Sequence, residues 1–152
     1  GGVASDPAPR LEARMTESTT RQPAPGEATK TERVQLRLPA DSAYLGVLRT
    51  ATAGLAARRD FTLDDIEDLR IAVHEARAIL PTQARDGATR DCQFELGTDD
   101  LTIHVSTRSE HPRAPREDSL AWILLTALAG ELQASISGST LTISLHKHRE
   151  LA

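Results

Sequence analysis

Apolar and polar residues alternate along the chain with two different periods, which predicts a protein built from both helices and strands. The strongest helical pattern lies between Thr62 and Pro81. Its apolar positions recur every three or four residues and form one stripe; they are Ile66, Leu69, Val73, Ala76 and Leu80. Thr62 is placed to cap this helix, and acidic residues crowd its first two turns, where the helix dipole favours negative charge. We predict a central helix that ends at Pro81.

Two more segments have helical periodicity. The first is capped by Asp41 or Ser42 and runs to about Arg59. Its apolar positions, expected to be buried, are Leu45, Leu48, Ala51 or Thr52, and Leu55. The second begins after Asp118 or Ser119 and ends at Gly130. Its apolar positions, again expected to be buried, are Leu120, Ile123, Leu124, Ala127 and Leu128, and we expect Trp122 to lie partly in the core.

Five short segments alternate with period two, as half-buried strands do. They centre on residues 34–38, 92–96, 101–105, 132–136 and 141–145. Turn residues at 85–87, 97–100 and 138–139 separate them, and the last two turns predict antiparallel hairpins. The fold class that buries every apolar stripe is α+β. We expect a two-layer sandwich in which a mixed, mostly antiparallel sheet of about five strands carries three helices on one face.

The N-terminal stretch lacks the apolar residues needed for a core. Residues 1–31 are rich in Pro, Ala, Thr, Ser and Glu, so we expect a disordered tail followed by one domain over residues 32–149. Met15 could be a natural start, in which case residues 1–14 are added or upstream sequence. Residues 107–117 are polar, contain two prolines and predict a loop.

Charge and cysteine content exclude several classes of function. The net charge of −4, with scattered basic residues, argues against direct DNA binding. No apolar run is long enough to span a membrane, and Cys92 alone can form neither an internal disulfide nor a cysteine-based metal site, so we expect a cytoplasmic protein. His146 and His148 have a spacing that can chelate a metal, but the sequence offers no third ligand, and we interpret them as a solvated pair.

The element order and three stretches together resemble a known family. The stretches are DDIEDLRIAVHEA, DSLAWILLTALAG and STLTISLHK, and the likeness covers residues 33–147. They resemble the anti-sigma-factor branch of the GHKL (histidine-kinase-like) ATPases, the RsbW and SpoIIAB-like serine kinases, and most of all shortened actinobacterial members. The resemblance implies a dimeric protein. It would bind a stress or sporulation sigma factor and be displaced by an anti-anti-sigma factor of the STAS type.

The nucleotide motifs of that family are not intact in this chain. Glu75 matches the family's presumed catalytic base, but Ile79 stands where the family has a magnesium-binding Asn. Residues 106–110, STRSE, contain neither the Asp nor the glycines of the adenine motif, and residues 119–122, SLAW, replace the glycine-rich phosphate turn. Because phosphoryl transfer depends on positioned phosphates and metal, we expect no bound ATP, magnesium or other cofactor, and no kinase activity.

Individual site residues have two interpretations each. Glu75 is either a relict catalytic base or a partly exposed carboxylate held by a nearby arginine. By the resemblance, Arg49 falls at the position whose arginine faces both the sigma factor and its antagonist; otherwise it is a solvated helix residue. Arg58 and Arg59 share the polar side of the same helix and join Arg49 as candidate partner-binding residues. The alternatives to an anti-sigma factor are an active ATP-dependent serine kinase with Glu75 as base, and a receptor for another small ligand.

Overall fold

A computed structural model describes residues 31–80 and 89–150, which form five strands and three α-helices. The strands are β1 (Glu32–Pro39), β2 (Thr89–Leu96), β3 (Asp100–Arg108), β4 (Glu131–Ser137) and β5 (Thr140–His148). The helices are α1 (Leu45–Arg58), α2 (Leu63–Ile79) and α3 (Leu120–Ala129), and a short 3-10 turn, Ser42–Tyr44, leads into α1. Residues 1–30 of the predicted tail, the turn at 85–87 and Pro81 lie outside the described residues.

The strands form one sheet in the order β1-β2-β3-β5-β4. Each neighbouring pair is antiparallel, so the described sheet is antiparallel throughout rather than mixed. The two predicted hairpins, β2-β3 and β4-β5, are present. The predicted α+β class, with three helices packed on a five-stranded sheet, is confirmed.

The two faces of the sheet have different chemistry. Residues on one face alternate with those on the other, and the face toward the helices is apolar. Its fully buried side chains include Phe94, Leu96, Leu101, Ile103, Val105, Leu141, Ile143 and Leu145. The opposite face bears charged, amide, hydroxyl and imidazole side chains, such as Glu95, His104 and Ser144. We call this second face the open face.

Helix α2 begins and packs as its sequence predicts. The Thr62 side chain accepts a hydrogen bond from the Asp65 amide at 3.1 Å, which satisfies one of the unpaired amides of the first turn. The predicted stripe faces the core: Leu69, Val73, Ala76 and Leu80 are buried, and Ile66 is half-buried against them.

The predicted buried face of α3 is wrong. Leu120, Ile123 and Leu124 are 82%, 55% and 42% exposed, whereas Trp122 and Leu125 are buried together with Ala129. The sequence of this helix, LAWILLTALA, is apolar almost all round, so its periodicity does not select a face. Packing selects the face that carries the tryptophan, because the largest side chain gains most from leaving water. The expectation of a buried Trp122 is confirmed.

The loop after β3 is shorter than predicted. Thr107 is buried within β3, and the Ser109 amide donates to the carbonyl of Ser139 at 2.8 Å, so the chain stays attached to the β4-β5 turn before it leaves the sheet. In the described part of the chain, no helix combines the length and the apolar character needed to cross a bilayer.

Candidate partner-binding site on the helical layer

Arg49 lies between the first two helices rather than free in solvent. Its Nη1 is 3.0 Å from Nδ1 of His74 on α2, and both side chains are half-buried. A guanidinium can only donate, so Nδ1 accepts and the neutral imidazole carries its proton on Nε2. The contact fixes Arg49 at the α1-α2 junction, and within residues 31–80 and 89–150 its other guanidinium nitrogens make no hydrogen bond or ion pair. No sequence signal pointed to His74 as this partner, because it lies 25 residues away.

Arg58 and Arg59 contact a different part of the molecule. Arg59 Nη2 lies 3.0 Å from Oε1 of Glu32 and 3.4 Å from the Leu96 carbonyl. Arg58 Nε lies 3.7 Å from the same carboxylate oxygen, but its side chain is 64% exposed. Arg59 therefore ties the end of α1 to the sheet, whereas the guanidinium of Arg58 remains largely in water.

The three arginines do not form one patch. Successive residues of an α-helix are rotated by about 100°, so two residues nine apart point to opposite sides. Arg49 accordingly faces α2, while Arg58 faces the start of β1. Arg49 and Arg58 therefore lie on different sides of α1 and could not be parts of one contiguous patch.

Glu75 is half-buried on α2, and its carboxylate has no arginine partner among the residues that the structure describes. In the described ranges 31–80 and 89–150 its carboxylate makes no hydrogen bond or ion pair, so the interpretation as an arginine-held carboxylate is not supported there. Ile79, one turn further along the helix, packs against the core and offers no oxygen to a metal. These two residues alone do not form a magnesium site.

The helix N-terminus that would receive phosphates is already occupied by its own cap. Ser119 Oγ accepts from the Trp122 amide at 3.2 Å and donates to the Arg116 carbonyl at 2.8 Å. Phosphate binding at such a place uses free amides and backbone without Cβ. Ser106, in the region that matches the adenine motif, is likewise paired within the sheet, 2.8 Å from Thr142.

A small crevice opens between β1, α1 and α2. It is lined mainly by apolar side chains, with the two arginines Arg77 and Arg90 among them. Burial lowers the pKa of Arg90, and the charge of Arg77 lowers it further. Burial also raises the pKa of the Cys92 thiol, which lines the same crevice, to about 12. Cys92 is a free cysteine buried in the core, where little thiolate forms.

The class follows from the fold together with the site. An antiparallel five-stranded sheet with three helices on one face, and a long central helix that carries Glu75, are the arrangement expected of an RsbW-like domain of the GHKL type. Comparison with known proteins agrees: the chain is RsbW-like, and its sequence resemblance to that branch of the superfamily is confirmed. No protein-family model matches the chain.

Three curated relatives are named serine-protein kinase RsbW. The chain is 38% identical to the protein of Halalkalibacterium halodurans over 80 residues, which is 52% of this chain and 49% of that protein. It is 43% identical to the Bacillus velezensis protein over 49 residues, which is 32% of this chain and 31% of that protein. It is 28% identical to the Bacillus licheniformis protein over 140 residues, and this match covers 77% of this chain and 87% of that protein. The first two matches thus span half or less of their relatives' length.

A solved structure with the same architecture contains the RsbU and RsbW domains of Rv1364c from Mycobacterium tuberculosis. The superposition has a TM-score of 0.61 at 16% identity and covers 81% of this chain and 34% of that one. At this identity the likeness shows the fold alone.

Proposed function

We propose that this protein is an anti-sigma factor that sequesters a stress or sporulation-type sigma factor and is released by a STAS-domain anti-anti-sigma factor. The observation that carries the proposal is the combination of RsbW-like sequence and fold with altered nucleotide motifs. A scaffold of this kind keeps its protein-binding surfaces when its catalytic features are lost, because the two depend on different residues.

The helical layer is the proposed binding surface, with Arg49 as its anchor. A half-buried arginine already held on one side presents a planar fork of donors to a partner carboxylate and loses little side-chain entropy on binding. Arg58 is proposed as a second contact, and Arg59 as the residue that positions the end of α1 beneath it. We also propose that the protein is a homodimer, as the resemblance implies, and that it is cytoplasmic, as its lone cysteine and its lack of a long apolar run led us to expect.

The protein is proposed to act without ATP. Ile79 packs on the core in place of a metal ligand, and the Ser119 cap takes up an amide that a phosphate would otherwise use. Binding and release would then depend on competition between two protein partners and not on phosphorylation.

The test is co-expression with each candidate sigma factor encoded by the source genome, followed by size-exclusion chromatography with light scattering and by transcription in vitro. We expect one sigma factor to co-elute and to lose promoter-specific transcription, and a STAS-domain protein to displace it. If none co-elutes or is inhibited, the proposal is withdrawn.

An active serine kinase that phosphorylates its antagonist is the alternative, favoured by the retention of Glu75. Calorimetry with ATP and magnesium separates the two. An affinity tighter than about 100 μM, roughly −5.5 kcal/mol, would favour the kinase, provided that phosphoryl transfer is abolished in Glu75→Gln, which keeps the size of the side chain and removes its basicity.

A further inference from the structure

A cluster of metal-binding side chains lies at one corner of the open face, where β3, β4 and β5 meet. Ligand atoms of Asp100, His146 and His148 all lie within 4.8 Å of one another. Asp100 is directly opposite His148 in the β3-β5 ladder, and Glu131 is directly opposite His146 in the β4-β5 ladder. Strand pairing thus supplies the third ligand that the sequence did not reveal.

The two nitrogens of His146 already have carboxylates on both sides. Nε2 is 2.8 Å from Asp100 Oδ2, and Nδ1 is 2.7 Å from Glu131 Oε1. The ring centroid of His148 is 4.5 Å from that of His146, with the rings at 65°. The Asp100 carboxylate lies over Gly97, where a Cβ would collide with it, so the glycine is what permits this position.

Three of these residues can act as metal ligands, and the fourth, Glu131, can orient one of the ligands, His146. If Nε2 of His146 binds a metal beside Asp100 and His148, Nδ1–H remains to donate to Glu131. A carboxylate on the far nitrogen of a metal-bound histidine fixes the tautomer and the ring orientation. Side chains of Asp100 and His146 are about one third exposed, at 34% and 28%, which leaves access for the ion and for a water as fourth ligand.

The electrostatics also favour a cation. The carboxylates of Asp100 and Glu131 lie 2.8 and 2.7 Å from the two ring nitrogens of His146, so the corner carries local negative charge. Two imidazoles with one carboxylate match the borderline preference of Zn²⁺, whereas Mg²⁺ prefers oxygen ligands alone.

We propose that Asp100, His146 and His148 form a binding site for Zn²⁺ or a similar divalent transition metal, with Glu131 positioning His146. The ion would join the ends of β3 and β5, and through Glu131 it would also hold the start of β4. The metal site lies on the open face, whereas the surface proposed to bind the sigma factor lies on the helical layer. The two proposals can therefore be tested independently.

Zinc titration of the untagged full chain by calorimetry at pH 7.5 tests the site. We expect one ion per chain with a Kd of about 10 μM or tighter, and no comparable binding of Mg²⁺. His148→Ala and Asp100→Asn should each weaken zinc binding by about tenfold or more. Zinc should also raise the melting temperature of the wild type more than that of either variant.

His104→Ala is the matched control. His104 also lies on the open face, is half-buried, and pairs with a carboxylate, Glu95, at 3.2 Å. It lies outside the cluster, so its removal should leave zinc affinity unchanged. Circular dichroism confirms that each variant is folded; His148 is exposed, so its replacement should not disturb the core. No zinc binding by the wild type, an unchanged affinity in folded His148→Ala, or an equal loss in His104→Ala would overturn the proposal.

Discussion

Replacement of Arg49 by glutamate separates partner binding from folding. The side chain is half-buried at the α1-α2 junction and donates to Nδ1 of His74 at 3.0 Å. The substitution removes this donor and reverses the charge at the proposed centre of the interface. Both a stability effect and a binding effect are therefore expected, and they have different sizes.

The stability effect is the smaller of the two. One lost hydrogen bond between side chains that water can reach costs about 1 kcal/mol of unfolding free energy. The binding effect combines a lost pair with like-charge repulsion in a desolvated contact, on the order of 2–5 kcal/mol. By the standard conversion this is roughly thirtyfold to several-thousandfold in Kd.

His74→Ala is the control for the helix contact. It breaks the same hydrogen bond but keeps the positive charge of Arg49, so it should lose about the same stability and keep sigma-factor affinity within about threefold, or 0.7 kcal/mol. Urea denaturation measures the first quantity, and calorimetry or surface plasmon resonance with the sigma factor and the STAS antagonist measures the second. Equal loss of binding in both variants would mean that the helix contact, and not the charge, matters. Unchanged binding by folded Arg49→Glu would place the interface elsewhere, and the role assigned to Arg49 by resemblance would have to be withdrawn.

Three further substitutions or reactions test the fold. Lys147 donates to the Leu128 carbonyl at 2.8 Å, and its Nζ lies 3.6 Å from a carboxylate oxygen of the buried Asp65. Lys147→Met leaves that carboxylate without its cation, so it should lower the free energy of unfolding, measured in urea, by about 2–3 kcal/mol. A change smaller than the error of the measurement would contradict this prediction. Thr62→Ala removes the N-cap of α2 and should lower the free energy of unfolding by about 1 kcal/mol in the same assay. Thr62→Asp replaces the cap with another capping residue and should keep most of that free energy. Cys92 should resist thiol reagents at pH 8 because its thiol is buried and its pKa is raised to about 12, and it should react at once in denaturant; rapid reaction of the native protein would refute its placement.

The sequence predicted best the elements whose two sides differ most in polarity. In β2 and β3 each apolar residue alternates with a polar one, and a shift of one residue would turn the whole buried set toward water. The α2 stripe is equally well defined because its other positions are charged. Helix α3 lacks this contrast, and for that reason its buried face could not be chosen before the sheet and Trp122 were placed.

The contacts of Asp100 with His146 and of Arg49 with His74 could not be predicted from the sequence, for a different reason. Asp100 and His146 are 46 residues apart, and Arg49 and His74 are 25 apart. Their proximity depends on strand register and on how two helices pack, neither of which is encoded in local periodicity. His146 and His148 could be recognised as a pair because they are on one strand. Asp100 could not be added to them until β3 was known to lie beside β5.

The position of Ile79 is consistent with the proposal that the protein acts without ATP. A polar metal ligand on the buried border of α2 would lack its ion in the unliganded protein and would have to be solvated or hydrogen-bonded. Ile79 instead packs against the core, so the end of α2 is stabilised by apolar burial in the protein alone. By the resemblance, Ile79 stands in place of a metal ligand, so under this proposal the end of α2 needs no ATP for its stability. The Ser119 cap likewise stabilises the N-terminus of α3 from within the chain. Under the same proposal, the helical layer formed in this way binds its protein partners without ATP.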